Sequence, residues 1–187
     1  MWAVVGLGNP GKEYAETRHN AGCVLVKRMA REWDVELRGK KYQARTAEVE
    51  RDGGRVLLAF PQTYMNLSGL CVRDILKGRR LEPDNVVIVY DDLDIPIGGI
   101  RVRKQGTAGT HKGLQSIFRE TGSTRFPRIR IGIGPLPDGR DAADFVLSPF
   151  SRTEKSELAA ALDNAREALL MILTGDIERA MNSYNTK

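Results

Sequence analysis

The chain has 187 residues, a net charge of +5 and a hydrophobic fraction of 41%. Such a chain fits one globular domain whose core needs no disulfide or metal. No apolar run approaches the roughly 18 residues of a membrane span, and the N-terminus lacks the basic and apolar regions of a signal peptide. We therefore expect a single cytoplasmic domain over residues 1–187, with Cys23 and Cys71 as reduced core residues.

Strands and helices alternate in the hydrophobic pattern. A buried strand is predicted at Trp2–Leu7 and a helix over 20–34, where apolar residues recur three or four apart. Asp52-Gly53-Gly54 predicts a hairpin turn. The other predicted elements are the hairpin strands Tyr42–Arg51 and Arg55–Phe60, helix Asn66–Gly78, strands Asn85–Tyr90 and Ile100–Lys104, helix Gly113–Glu120, strand Arg128–Ile133, and helices from a Ser151–Glu154 capping box to Leu173 and over Asp176–Tyr184. This order indicates an α/β fold with a mixed sheet.

The stretch 101–130 holds eight basic residues against one acid, Glu120. A basic cluster this dense is typical of a surface that binds phosphate, although a solvated surface would have the same composition. The basic residues are Arg101, Arg103, Lys104, Lys112, Arg119, Arg125, Arg128 and Arg130.

Gly6–Gly11 matches GxGxxG after a strand, the pattern of dinucleotide-binding oxidoreductases. That function needs a helix that opens directly from the glycines. Here Pro10-Gly11 makes a turn, and Lys12–Arg18 has no apolar period, so we disfavour a nucleotide cofactor. The end of a first strand is instead where α/β proteins place functional side chains. The candidates in this stretch are Asn9, Tyr14, His19 and Asn20.

Acidic residues cluster at Asp91-Asp92-Leu93-Asp94, directly after the predicted strand Asn85–Tyr90. Three carboxylates could bind a metal, but no further acid or histidine cluster completes an obvious ligand set. They could equally cap turns, or one could hold a histidine in its basic tautomer. The sequence leaves the last two roles open.

Two further segments contain polar residues of interest. Gln62–Gly69 includes Ser68, which lacks the GxSxG context of a serine nucleophile. Asn66 in the same segment could cap a helix or donate its amide to a carbonyl oxygen. Gly106–Gly113 runs into a predicted helix within the basic stretch, which suits a phosphate or a nucleic-acid 3′ end, although ordinary strand-to-helix connections look similar.

Together these stretches resemble the bacterial peptidyl-tRNA hydrolase family, in the family's order over nearly the whole chain. The matching stretches are Val5–Gly11 with Tyr14, Thr17–Gly22, Pro61 with Thr63–Gly69, Asp91–Pro96, Gly109–Leu114, Arg128–Gly134 and Phe145–Leu147. One position departs from the pattern: the family usually has a substrate-binding asparagine where this chain has Lys112. The role of that asparagine therefore does not transfer directly.

The resemblance implies a twisted mixed sheet between helices, a monomer, no cofactor, and peptidyl-tRNA as substrate, bound by its acceptor stem and 3′ end. In this family His19 would be the general base, with an ordinary pKa near 6.5, and Asp91 would orient it. Asn66 would position the ester, and Asn9 would separate blocked from free α-amino groups. The remaining expected substrate contacts are Tyr14, Asn20, Tyr64, Met65, Lys112, Arg103 and Arg130, the last two as a clamp for the tRNA 5′ phosphate.

Two expectations concern the whole chain. Helices within 151–184 could act as a lid over the site. The alternative function is a non-catalytic RNA-binding relative of the same fold, because the basic stretch would serve RNA binding as well as catalysis.

Overall fold

The computed structural model describes residues 1–51 and 54–185. Its strands form one mixed sheet in the order β2-β3-β1-β4-β6-β5. The strands are β1 (Trp2–Gly6), β2 (Ala44–Arg51), β3 (Gly54–Pro61), β4 (Val86–Pro96), β5 (Ile100–Arg103) and β6 (Arg128–Gly134); the helices are α1 (Ala21–Glu32), α2 (Ser68–Arg79), α3 (Lys112–Thr121), α4 (Ala142–Val146), α5 (Arg152–Leu173) and α6 (Ile177–Tyr184). The predicted α/β fold is confirmed.

The centre of the sheet is parallel and its edges are antiparallel. Strand β1 pairs in parallel with β3 and β4, and β4 pairs in parallel with β6. The predicted hairpin pairs β2 with β3 in antiparallel register, while its turn residues Asp52 and Gly53 lie outside the described residues. Strand β4 continues to Pro96, past the predicted end at Tyr90, because its acidic residues still pair with β6.

Helices cover both faces of the sheet. Val4 packs on the side of α1 and α5, whereas its neighbours Ala3 and Val5 pack on the side of α2 and α3, since successive strand residues point to opposite faces. The predicted capping box at Ser151 and Glu154 is present at the start of α5. Among residues 1–51 and 54–185, each helix is too short or too polar to cross a membrane.

Glycines bring the start of α1 against the sheet. A Cβ at Gly22 would lie within 3.0 Å of the main chain of Val89 in β4, and one at Gly6 would meet Gly22 in the same way. Leu7 N–H donates to the Val89 carbonyl oxygen at 2.9 Å, and Cys23 N–H donates to that of Leu7 at 3.0 Å. The 3₁₀ turn that precedes α1 therefore lies at the carboxyl ends of β1 and β4.

The same region decides against a dinucleotide site. Between the end of β1 at Gly6 and the start of α1 at Ala21, the chain forms turns and the 3₁₀ turn Arg18–Asn20. No helix opens from the glycines of Gly6–Gly11, so the geometry that would aim a helix N-terminus at a pyrophosphate is missing from this described part of the chain.

Candidate active site

Two histidines share one buried carboxylate at the carboxyl end of β4. Asp91, 2% exposed, accepts a hydrogen bond from His19 Nδ1, 2.9 Å from Oδ2, and another from His111 Nε2, 3.1 Å from Oδ1. His19 comes from the turn before α1, and His111 is the N-cap residue of α3. The fold thus brings to Asp91 two histidines that lie 72 and 20 residues away from it in the sequence.

Hydrogen bonding defines the tautomers of both rings. His111 Nδ1 accepts the Leu114 N–H at 3.3 Å, so its proton is on Nε2 and points at Asp91. His19 presents Nδ1 to the same carboxylate, which therefore holds the proton on Nδ1 and leaves Nε2 as a basic nitrogen. This is the tautomer that a general base requires.

The ionisation of the pair follows from burial and charge. Burial lowers the pKa of His19, but the charge and hydrogen bond of Asp91 outweigh burial and raise this pKa above its ordinary 6.5. The expectation of an ordinary pKa for His19 was therefore wrong, because the sequence does not reveal how close the carboxylate lies. Burial raises the pKa of Asp91, but the charges and hydrogen bonds of the two imidazoles more than offset burial. The pKa of this carboxyl is therefore held far below its usual value, and the group is ionised at neutral pH.

Asn9 lies beside this pair with its side chain largely fixed. Its Oδ1 accepts the Met65 N–H at 2.8 Å, which leaves Nδ2 as a donor. Asn20 braces the main chain of the same residue: the Asn9 N–H donates to Asn20 Oδ1 at 2.8 Å, and Asn20 Nδ2 donates to the Asn9 carbonyl oxygen at 3.0 Å. Asn9 is thereby held in a defined orientation.

Asn9, His19, Asp91 and His111 line a large open groove of about 1170 Å³. The groove is bordered by the Met65–Leu67 turn, by the loop 105–112 and by residues 142–147. Tyr64 is 58% exposed at its rim and packs edge-on against Tyr14, with ring centroids 6.5 Å apart. An extended ligand with both polar and apolar parts would fit this groove.

Comparison with known proteins identifies the family. The model of the peptidyl-tRNA hydrolase family matches residues 3–187. The chain belongs to the peptidyl-tRNA hydrolase family. It is 44% identical to the peptidyl-tRNA hydrolase of Chloroflexus aurantiacus, over 99% of each chain, and 40% identical to that of Bacillus subtilis, over the full length of both. A crystal structure of peptidyl-tRNA hydrolase from Acinetobacter baumannii superposes with a TM-score of 0.92, at 35% identity, over 97% of this chain and 93% of that one.

Most of the substrate residues expected from the family resemblance border the groove. Asn66 and Lys112 are exposed there, and Met65 lines it although it is nearly buried. Asn66 does not cap a helix, because Tyr64 and Leu67 hold the N-cap positions of the two helical segments around it. The amide of Asn66 is thus free to contact a ligand.

Asn20 differs from its expected role. We counted it among the substrate-binding residues, but its side chain is 1% exposed and is bonded to the main chain of Asn9. Asn20 therefore positions a family site residue and does not reach the groove itself. Tyr14 lies one step away from the groove, behind Tyr64.

The basic stretch divides into structural and exposed members. Arg128 is buried and donates to the carbonyl oxygens of Gly106 and Thr107, each at 3.0 Å, so it supports the loop above the groove. Arg130 pairs with Asp92 at 2.6 Å. Ion pairs also join Lys104 to Glu178, Arg119 to Glu120 and Arg125 to Asp84. Within the described residues, Arg103 and Lys112 line the groove without an ion-pair partner.

The acidic cluster is likewise divided among separate tasks. Asp91 serves the two histidines, Asp92 accepts from Arg130 and from the Asp94 N–H, and Asp94 is exposed. The orienting role of one carboxylate and the turn-capping role of another, which the sequence left open, are both compatible with this arrangement. The three acids do not converge on a common point.

His111 is a site residue that the sequence analysis did not single out. Two signals point to it: it is one of the two histidines of the chain, and it lies in the glycine-rich loop that leads into α3. Neither signal shows that its ring reaches Asp91. One potential metal-ligand atom from each of His19, Asp91 and His111 lies within 4.8 Å of the other two. The two N–O distances, however, are those of hydrogen bonds.

Proposed function

We propose that this protein hydrolyses the ester bond between the peptide and the tRNA in peptidyl-tRNA released early or stranded by stalled ribosomes, and so recycles the tRNA. Membership of the peptidyl-tRNA hydrolase family supports this reaction. The observation that supports the chemistry is the hydrogen bond of His19 Nδ1 to buried Asp91, which leaves the other ring nitrogen basic beside an open groove.

In the proposed mechanism His19 Nε2 takes a proton from a water molecule as that water attacks the ester carbonyl carbon. The bond between this carbon and the ribose oxygen then breaks, and the imidazolium returns the proton to the departing ribose oxygen. Asp91 stabilises the imidazolium and keeps the ring in the productive tautomer. The raised pKa of His19 makes the ring a stronger base than an ordinary histidine.

The two asparagines would recognise the ends of the acyl group. With Oδ1 occupied by the Met65 N–H, Asn9 can offer only its Nδ2 donor. A peptide carbonyl accepts that hydrogen bond, whereas a free α-ammonium group has only donors. This difference would make the enzyme act on blocked amino groups and spare aminoacyl-tRNA. Asn66, exposed in the groove, would position the ester or stabilise its developing negative charge.

The tRNA would bind through its acceptor stem and 3′ end along the basic side of the groove. Arg103 and Lys112 offer unpaired charge there, and Arg130 contributes a charge that Asp92 partly balances. We further propose that the protein acts as a monomer in the cytoplasm. The lid function of 151–184 stays a prediction; among the described residues, those that line the groove include none from this segment.

Turnover of a purified N-acetyl-aminoacyl-tRNA tests the proposal. The wild-type protein should release free tRNA, and His19→Ala should lose roughly 10²–10⁴-fold in kcat, the usual contribution of a general base, while it still binds tRNA. The non-catalytic RNA-binding alternative predicts tRNA binding without turnover in the wild type. Near-normal turnover by His19→Ala would remove this histidine from the mechanism.

A further inference from the structure

Arg18, the residue before His19, is a buried arginine that the mechanism does not use. Only 5% of it is exposed. Its guanidinium carbon lies 4.4 Å from the ring centroid of Phe145 and 4.9 Å from that of Phe150. Arginine stacks well on aromatic faces, and a buried guanidinium is retained where it is paired and hydrogen-bonded. Within the described residues, Nε and Nη2 of Arg18 have hydrogen-bond partners, whereas Nη1 is buried without one.

The polar contacts of Arg18 lead to one segment of the chain. Nη2 donates to Glu154 Oε2 at 2.9 Å, and Nε donates to Ser148 Oγ at 3.3 Å. The main chain follows the same path: the Arg18 N–H donates to the Ser148 carbonyl oxygen at 3.1 Å, and Thr17 forms a β-bridge with Pro149. Ser148 and Pro149 belong to the connection between α4 and α5, and Glu154 lies in the first turn of α5.

Glu154 anchors this contact to α5. Its carboxylate completes the capping box of α5 by accepting the Ser151 N–H at 2.7 Å. The pKa of Glu154 is lowered to about 2, chiefly by the hydrogen bond from Arg18. Burial opposes this shift, and the hydrogen bonds from Ser151 add to it. The carboxylate is therefore charged at every pH at which the enzyme would work, and one carboxylate holds both Arg18 and the start of α5.

Helix α4 and Leu147, which directly precede Ser148, form a wall of the groove. Ala142, Ala143, Val146 and Leu147 line it, and Phe145, between them, points inward onto Arg18. We propose that Arg18 is a positioning residue that fixes the His19 turn against the groove wall 142–147, so that the base and the wall keep one spacing around the ester. This inference rests on the proposed function and adds to it a residue that touches neither substrate nor water.

Burial separates this role from tRNA binding. An arginine beside the catalytic histidine of a tRNA enzyme would ordinarily be assigned to a phosphate. Here the guanidinium is buried beside the rings of Phe145 and Phe150, and its Nη2 and Nε are bonded to Glu154 and Ser148. Loss of Arg18 should therefore leave the salt dependence of tRNA binding unchanged, whereas loss of a phosphate contact lowers the log–log slope by about one unit.

The test compares Arg18→Met and Arg18→Ala with Arg28→Met. Arg28, in α1, likewise pairs with an acid of α5, Asp163. That pair is more exposed and does not line the groove, so the Arg28 variant controls for loss of an inter-element ion pair. We expect Arg18→Met to lose roughly 10- to 100-fold in kcat, the cost of displacing a catalytic group by up to about 1 Å, with tRNA affinity and salt slope unchanged. Arg28→Met should keep wild-type kcat.

Chemical rescue and NMR complete the experiment. Guanidinium ions added at constant ionic strength should refill the space in Arg18→Ala and restore part of kcat, but should not rescue His19→Ala. The chain has two histidines, so their Cε1–H resonances are readily assigned; Arg18→Met should shift that of His19 more than that of His111. This readout tests the inference even if the wild type proves inactive on peptidyl-tRNA.

The outcomes are distinct. If a folded Arg18→Met enzyme has wild-type kcat and an unshifted His19 resonance, Arg18 does not position His19. A reduced salt slope would instead make Arg18 a tRNA contact and overturn the proposal. Should both Arg18 variants fail to fold, Glu154→Gln, which alters a partner that is 27% exposed, should still lower kcat and shift the His19 resonance; no change in either would refute the inference.

Discussion

Replacement of Asp91 by asparagine offers the sharpest test of the catalytic geometry, because the carboxylate accepts from two imidazoles at once. Asparagine keeps the size of the side chain but provides a single oxygen acceptor beside an NH₂ donor. His111 cannot easily adapt, since its Nδ1 is committed to the Leu114 N–H and its proton must stay on Nε2. If the new oxygen serves His111, the new NH₂ faces His19 Nδ1.

That arrangement favours the unproductive tautomer of His19, with its proton on Nε2. The productive tautomer would place two donors against each other in a buried site, at a cost of about 1–3 kcal/mol. A cost of that size reduces the competent population by roughly 5- to 150-fold. The variant also loses the negative charge that stabilises the imidazolium in the transition state, so the total loss in kcat should approach the roughly 10²–10⁴-fold of a missing general base.

The pH dependence of kcat/KM gives an independent test, because the direction of its shift in Asp91→Asn can be predicted. A general base must be unprotonated, so kcat/KM in the wild type should rise with pH through the raised pKa of His19. Asp91→Asn removes the charge and the hydrogen bond that raise this pKa and leaves the burial that lowers it, so the rising limb must move to lower pH. The assay is hydrolysis of N-acetyl-aminoacyl-tRNA over the range in which histidine titrates, with kcat and KM resolved. An unmoved limb with a small change in kcat would leave Asp91 with a purely structural role in β4.

The remaining predictions concern the basic side of the groove. Lys112→Ala should raise KM, more so at low salt, with kcat little changed, and Lys112→Asn should stay active; rescue of an inactive wild type by Lys112→Asn would favour the RNA-binding alternative. Arg103→Ala should flatten the salt dependence of KM by up to about one log–log unit, and Arg130→Ala by less, because Asp92 already pairs with Arg130. A minimal ester without the tRNA body should barely respond, and equal losses on both substrates would argue against phosphate contacts.

Local patterns predicted the elements well where each pattern had one physical cause. The capping box at Ser151 marked the start of α5, and the apolar run Val86–Tyr90 marked the central strand. The extension of β4 to Pro96 was missed, because its acidic residues are satisfied by partners elsewhere in the fold. The one-and-a-half-turn helix α4 was also missed, since five residues are too few to show a period.

The sequence named candidate site residues one by one, without their arrangement and without His111. Family resemblance indicated His19, Asp91, Asn9 and Asn66, yet the distance between His19 and Asp91 depends on how closely α1 approaches β4, and thus on the small size of Gly22. Composition likewise counted the charges of 101–130 without their partners. Pairing is a property of the folded chain, so no count could show that Arg128 supports a loop while Arg103 faces the groove.

The structure also explains how the fold can accommodate a lysine at position 112. A cation in the first turn of a helix is disfavoured by the helix dipole by about 0.3–1 kcal/mol. The capping of α3, however, depends on the neighbouring residue, because His111 Nδ1 accepts the Leu114 N–H. Substitution at position 112 therefore leaves the cap and the hold on Asp91 intact. The side chain is exposed and borders the groove, so an anionic ligand would offset the dipole penalty, and the effect of this substitution should appear in tRNA affinity before it appears in the chemical step.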